Sequence, residues 1–246
     1  MKFIPVKTRI FLPPKDKQDD LLGHLPQLKE GDIVFITSKV LGITEGRCIK
    51  VKDDTLQEKV KLANREANYF IKKPRKSGSY SLITINQGLL IFNSGIDRSN
   101  GNGYYILWPK KPVSSAKNIW KYLRKKNQIN KLGVIITDSH SMPLRYGTLG
   151  ISIGHYGIEP LEDMRGTPDL FGHKLRITRM NIVDSLAATS NLYMGEGADG
   201  VPLLILRGFK RVKFTNKDTS KKLRVAKTVD IYSPLLKDFK KNNTKK

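Results

Sequence analysis

Acid is scarce in this sequence: 22 Asp and Glu stand against 45 Lys and Arg in 246 residues, a formal charge of +23. That balance turns attention to anionic partners, either nucleic acid or polyanionic small molecules such as nucleotides, beside the plainer reading of a lysine-rich solvated surface. Cysteine is almost missing. Cys48 alone makes no intramolecular disulfide, and four scattered histidines without a CxxC pair give no zinc array. A reduced, intracellular compartment is the expectation. No apolar run approaches the ~18 residues of a membrane span, and the opening MKFIPVKTRIFLPPKD breaks its apolar residues with Lys7, Arg9 and prolines. The expected location is therefore cytoplasmic, with no membrane partner. GxxxxGK[ST] is absent, which removes the P-loop, and nothing places His140 or His155 as the base of a serine, so a Ser-His-Asp triad is not supported.

What is present suffices for a core: 39% of residues are hydrophobic, and a chain of this length buries roughly 70–75% of its unfolded surface. Alternating and β-branched runs predict strands at 2–7, 32–38, 80–86, 88–93, 103–108, 132–137, 149–156 and 202–206. Helical spacing predicts helices at 17–25, 55–71, 114–126 and 182–194, the third capped by Ser114 or Ser115. Gln87-Gly88 joins two of the strands as an antiparallel hairpin. The order is α+β, with mixed and antiparallel sheets and packed helices rather than a regular βαβ alternation.

Charge is unevenly spread. Residues 110–131 carry eight Lys/Arg and no acid, and residues 210–246 carry thirteen against three acids. Trp120 lies among the first group, but its helical spacing with Ala116, Ile119 and Leu123 makes it a core residue rather than a stacking platform. A body over 1–209 followed by a lysine-rich segment over 210–246 is expected. In that segment Ala226–Leu236 can dock, and Asn242–Lys246 reads as a frayed end.

Four places attract chemistry. Gly195-Glu196-Gly197-Ala198-Asp199-Gly200 is a literal GxGxxG, but the predicted helix precedes it and the strand follows, the reverse of a dinucleotide-binding turn. It reads either as a turn whose amides cradle phosphate or as a tight connection that needs glycine. Asp97 follows an apolar strand and opens a small polar stretch; Asp138-Ser139 ends the strand at 132–137. Each aspartate suits a divalent metal with oxygen ligands, and each also suits an Asx turn or cap. The acids at 159–169, around Arg165, read equally as a site or as local ion pairs.

Several segments, in order, carry a family likeness. They are Glu30-Gly31-Asp32, Glu45-Gly46-Arg47, Ser94–Asn100, GVIITDS from Gly133, GISIGHYGIEPLEDMRGTPDLFG from Gly150, Met194-Gly195-Glu196 and Val201–Gly208. Together they resemble the coenzyme F420-0:L-glutamate ligase (γ-glutamyl ligase) family over about 200 residues, most weakly at 50–85. The resemblance implies an α+β fold particular to that family, with two intimately packed subdomains, and a homodimer. It implies GTP-dependent ligation of L-glutamate to an acceptor carboxylate through an acyl phosphate, most simply on F420-0, with a folate γ-carboxylate as the alternative acceptor.

Carried over, Asp97 and Asp138 would bind one divalent ion and Ser139 with Glu196 a second, Mg²⁺ or Mn²⁺; K⁺ is a further ion the resemblance admits. Leu12, Pro13, Pro14, Lys15, Ser38, Lys39, Asn100 and the turn Met194, Gly195, Gly197, Ala198, Asp199, Gly200, Val201 would contact nucleotide. Three departures stand out. Ile43 replaces a nucleotide-contacting lysine, which keeps ATP beside GTP. Glu196 replaces a common glutamine. His140-Ser141-Met142-Pro143-Leu144-Arg145 stands where relatives carry aromatic-Gly-Arg-Pro-Trp-Arg. An inactive member using its basic surface on nucleic acid is the alternative of another class.

Overall fold

A computed structural model describes residues 1–14, 16–71 and 82–243. In chain order the first half gives β1 (Lys2–Val6), α1 (Gln18–Gly23), β2 (Asp32–Thr37), α2 (Ser38–Thr44), β3 (Cys48–Lys50), α3 (Leu56–Glu66), β4 (Tyr69–Phe70), β5 (Ile83–Asn86) and β6 (Leu89–Phe92). The rest gives β7 (Tyr104–Ile106), α4 (Pro112–Asn127), β8 (Leu132–His140), β9 (Leu149–Tyr156), β10 (Leu161–Asp163), β11 (Arg179–Asn181), α5 (Ile182–Met194), β12 (Leu203–Arg207) and β13 (Lys240–Lys241). The fold is α+β with mixed sheets, as the sequence predicts.

The central sheet runs β1-β12-β2-β8-β9. β2 and β8 are parallel, and the other neighbours are antiparallel. DIVFIT and LGVIIT are continuous β-branched runs because both faces of these strands are covered. Ile33 and Phe35 point into a cluster with Val183, Leu186 and Ala187 of α5. Val34 and Ile36 point the other way, toward Ala116, Ile119 and Leu123 of α4. Period-two alternation thus divides one strand between two cores. The α4-side cluster continues into Ile91 of the sheet β13-β4-β5-β6, Ile106 of the sheet β3-β7, and Trp108 just beyond β7.

Residues of the motifs at 30–32, 45–47 and 201–208 tie the fold together. Glu30 accepts the backbone N–H groups of Asn130 and Lys131 at 2.6 and 2.8 Å, and fully buried Asp32 accepts both arms of Arg207 at 2.8 and 2.7 Å. Arg47 donates to the Trp108 carbonyl at 2.9 Å and to Glu66 at 2.5 Å.

The structure departs from the sequence reading at several places. The strand expected over 32–38 ends at Thr37, and Ser38 begins α2. The helix expected over 55–71 stops at Glu66, and Tyr69–Phe70 pairs as a strand. α4 starts at Pro112 after Lys111, because proline is preorganised for the first helical position. Ser114 and Ser115 lie inside it, and the Ser115 hydroxyl donates to Glu45 at 2.5 Å. The hairpin at Gln87-Gly88 forms with φ of 54° and 81°, the paired left-handed conformations of a two-residue turn. Residues 80 and 81 of its expected first strand lie outside the described residues. Trp120 is a core residue, donating to the Leu132 carbonyl at 2.9 Å.

Beyond β12 the chain crosses the central sheet. Asn216 accepts from the Tyr156 hydroxyl at 2.8 Å, Thr219 donates to Ile158 at 2.9 Å, and Lys222 pairs with Glu159. It then reaches β4. Asn242, expected in a frayed end, is 6% exposed and donates its side-chain amide to the carbonyls of Asn64 and Ala67 at 2.6 and 3.0 Å. Those helix-end carbonyls need a donor, and the asparagine provides it.

Candidate active site

β2 and β8 pair in step as far as Thr37↔Thr137, where β2 turns into α2 and β8 continues alone beside β9. The continuation carries Asp138 past the end of its neighbour, the carboxyl-end position where parallel sheets open to ligands. One step earlier β9 holds an extra residue opposite Ile136/Thr137. Such a bulge changes which face the following side chains occupy. Gly150 accordingly packs against Ala187 of α5 and Gly154 against Pro112 of α4.

Asp138 is held on both oxygens. Ser38 donates to Oδ1 at 2.8 Å, and the Trp108 indole donates to Oδ2 at 2.5 Å. Burial nevertheless pushes this carboxyl up to about 6, and neighbouring Asp97 adds to the rise. Trp108 carries no signal in the sequence reading. The general one available is that a buried indole N–H needs an acceptor.

Asp97 arrives from the other side. Its backbone bridges Ile106 in both directions, N–H to carbonyl at 3.0 Å and carbonyl from N–H at 2.7 Å. The approach is strained, with Asn93, Ser94 and Gly95 at φ of 50°, 55° and 75°. Surrounding bonds hold that run: Ser94 donates to Ala63 at 2.6 Å and accepts from Asn86 at 3.0 Å. Gly95 lies flat against Trp108, so that a Cβ there would come within 2.1 Å of the ring. The segment 104–108 therefore fixes both acids, Asp97 through backbone pairing and Asp138 through the indole. Burial works to raise the Asp97 carboxyl, but Lys39, 2.6 Å from Oδ2, and Ser99 outweigh it and hold it below its ordinary value.

A cavity of about 610 Å³ opens here. Leu12, Ser38, Lys39, Asp97, Asn100, Asp138, Ser139, Met194 and Glu196 line it, with Gly195, Gly197, Ala198, Asp199, Gly200 and Val201 of the turn. Asn100 ties its two sides, donating to the Gly197 carbonyl at 3.1 Å. Pro13 and Pro14 are not among the lining residues, and Lys15 lies outside the described ones. Ile43 forms part of the wall. α5 precedes the glycine turn and β12 follows it, so the dinucleotide order is reversed as expected. Gly195 has φ of 76°, and a Cβ there would meet the Asp199 carboxylate at 2.2 Å; Asp199 accepts the Gly197 N–H at 3.1 Å.

Glu196 accepts from Asn191 at 2.8 Å. Asp97, Asp138 and Glu196 share one cavity, yet among the described residues no three acids, histidines or cysteines group closely enough to hold an ion alone. The acids at 159–169 resolve into local contacts: Glu159 with Lys222, Glu162 with Arg211, Asp163 with Arg165, and Asp169 accepting the N–H groups of Phe171 and His173. His155 faces Thr219 at 3.2 Å in the interior, where burial pushes it down to about 4.

The profile of the F420-0:gamma-glutamyl ligase family matches residues 8–208. The chain belongs to that family. Its relatives include the coenzyme F420:L-glutamate ligase of Methanopyrus kandleri, 32% identical over 225 residues, covering 85% of this chain and 88% of that protein. The enzyme of the same name from Methanosarcina mazei is 36% identical over 221 residues, with 85% and 87% covered. That from Methanococcus maripaludis is 34% identical over 221 residues, with 89% and 86% covered. Within the family frame, Asp97, Asp138 and the glycine turn lie inside the matched span and Asn242 lies beyond it. No helix among the described residues is long and apolar enough to cross a membrane.

Proposed function

We propose that this chain is a nucleotide-dependent γ-glutamyl ligase that joins L-glutamate to the carboxylate of F420-0, with GTP as phosphate donor. The observation that carries the reading is the meeting of Asp97 and Asp138, from separate elements, at one cavity with the turn 195–200. Two aspartates without a third acid suit a cation that completes its shell with water and phosphate oxygens. The ammonium of Lys39 already occupies a cation's place on Asp97. The donor set suits Mg²⁺ or Mn²⁺: Asp97 and Asp138 would hold one ion, and Ser139 with Glu196 would hold another. Such ions, when bound, neutralise phosphate charge and align an in-line transfer.

The chain's own groups do the rest. Ser38 and Trp108 fix the Asp138 carboxylate, and Lys39, Asn100 and the turn amides position the nucleotide. An acceptor carboxylate oxygen attacks the γ-phosphorus and GDP leaves, giving an acyl phosphate. The α-amine of glutamate then attacks the acyl carbon, inorganic phosphate departs, and the amine loses its proton. Leu144, Tyr146, Leu170, Phe171 and Ile177 are each at least 87% exposed on the segments 141–148 and 164–178, which supports burial against a second copy in a homodimer.

The test is mass spectrometry of reactions holding Mn²⁺, L-glutamate and either GTP or ATP, with F420-0 or a folate monoglutamate as acceptor. A glutamylated F420-0 that requires GTP and disappears in Asp138→Ala is expected. Product on folate alone would replace the acceptor. No product from either, with salt-sensitive binding to nucleic acid, would replace the enzyme reading.

A further inference from the structure

The cavity is acidic although the chain is strongly basic. Among the described residues that line it, Asp97, Asp138, Glu196 and Asp199 face two cations, Arg9 and Lys39. Arg9 is bound to acids outside the lining, Asp16 at 2.8 Å and Asp20 at 3.3 Å. Lys39 is bound to the cavity itself, with its Nζ 2.6 Å from Asp97 Oδ2 and 3.0 Å from Ser99 Oγ. It follows Ser38 in the first turn of α2, so consecutive residues supply a donor to each aspartate.

An ammonium and a divalent ion compete for that Asp97 oxygen, since both use its lone pairs and they repel one another. A lysine displaced from Asp97 keeps a flexible four-carbon stem and three donors, and a phosphate oxygen accepts as a carboxylate does. We propose that Lys39 exchanges partners: it neutralises Asp97 in the metal-free protein and moves to a nucleotide phosphate when a divalent cation takes its place, so that metal and nucleotide bind cooperatively. The exchange rests on the reading of this cavity as a metal and nucleotide site. Metal arriving alone must displace a cation that then has no phosphate to bind. Nucleotide arriving alone meets a cavity whose two lining cations are both engaged by acids. Each ligand therefore eases the entry of the other, and by linkage the two effects are equal.

The exchange makes an unusual prediction, that removing a lysine tightens cation binding. Mn²⁺ binding without nucleotide would be followed by electron paramagnetic resonance in the wild type, Lys39→Met, Lys39→Arg and Asp97→Asn. GDP binding at saturating Mn²⁺ would be followed by calorimetry. Lys39→Met should bind Mn²⁺ roughly fivefold to tenfold tighter than wild type, and its GDP affinity at saturating Mn²⁺ should fall by about tenfold. Lys39→Arg, which keeps the charge, should not tighten Mn²⁺.

Unchanged or weaker Mn²⁺ binding in Lys39→Met overturns the exchange. So does equal tightening in Lys39→Arg, which would make the effect one of space. Mn²⁺ binding that is lost in Asp97→Asn yet indifferent to Lys39 overturns the exchange alone. Mn²⁺ binding that is absent from the wild type, or unaffected by Asp97→Asn, overturns the metal reading with it.

Discussion

The two aspartates of the cavity are held by opposite means. Asp138 stands on a strand of the central sheet, drawn up by burial to about 6 and fixed by two neutral donors. Asp97 stands on a strained connection beside a cation that keeps it charged. One is a rigid, poorly solvated carboxylate, the other a charge-paired one on a loop. The contrast shows how a protein can offer two anionic ligands without their mutual repulsion forcing both to protonate: one carries its own counter-ion.

Removing either acid is the largest perturbation. Asp138→Ala and Asp97→Ala are each expected to lower the ligation rate by about a thousandfold or more, read from product formation; retention of a tenth of the rate in either would break the pairing. Gly95→Ala comes next, because its Cβ meets Trp108 and its φ of 75° disfavours a side chain. A loss of about 3 kcal/mol in denaturant unfolding is expected. Trp108→Phe keeps the ring against Gly95 and removes one donor from Asp138. It should cost about tenfold in activity while the melting temperature stays close to wild type, and an equal fall in both would make Trp108 a packing residue.

The smallest effect is in pH. Mn²⁺ binding to the metal-free protein should weaken as pH falls through about 6, the value to which burial lifts Asp138, because the proton and the ion use the same carboxylate. Asp97, held low, adds no limb in that range. For folding the sign is reversed. A raised carboxyl adds stability at low pH that is lost as pH rises through about 6, and Asp138→Asn should flatten that slope in denaturation measured at several pH values.

Much of the fold was legible because it depends on local pattern. The β-branched runs at β2 and β8, the helical spacing of Ala116, Ile119, Trp120 and Leu123, and the Gln87-Gly88 turn each declare their element. α2 did not, since Val40, Ile43, Thr44 and Gly42 lower helix propensity. Tertiary packing decides there: Gly42 lets the helix approach the Leu107 carbonyl, which would lie 2.4 Å from a Cβ. The C-terminal lysines likewise hid Asn242, whose value lies in the carbonyls it meets. Asn242→Ala should cost about 1–2 kcal/mol in the same unfolding measurement.

For the site, strand-end acids and a glycine turn were visible one at a time. Their convergence depends on contacts such as Ser38 with Asp138, 100 residues apart, and on an indole that no spacing rule marks. The family likeness pointed to the same acids, while the reason they can act together lies in the segment 104–108.

The most direct measurement is an anomalous-scattering map at the manganese edge from crystals grown with Mn²⁺ and GDP. The account predicts manganese in the cavity with one peak at Asp97 and Asp138, and Lys39 turned from Asp97 toward phosphate. Nucleotide bound in the cavity with no manganese on either aspartate would contradict it.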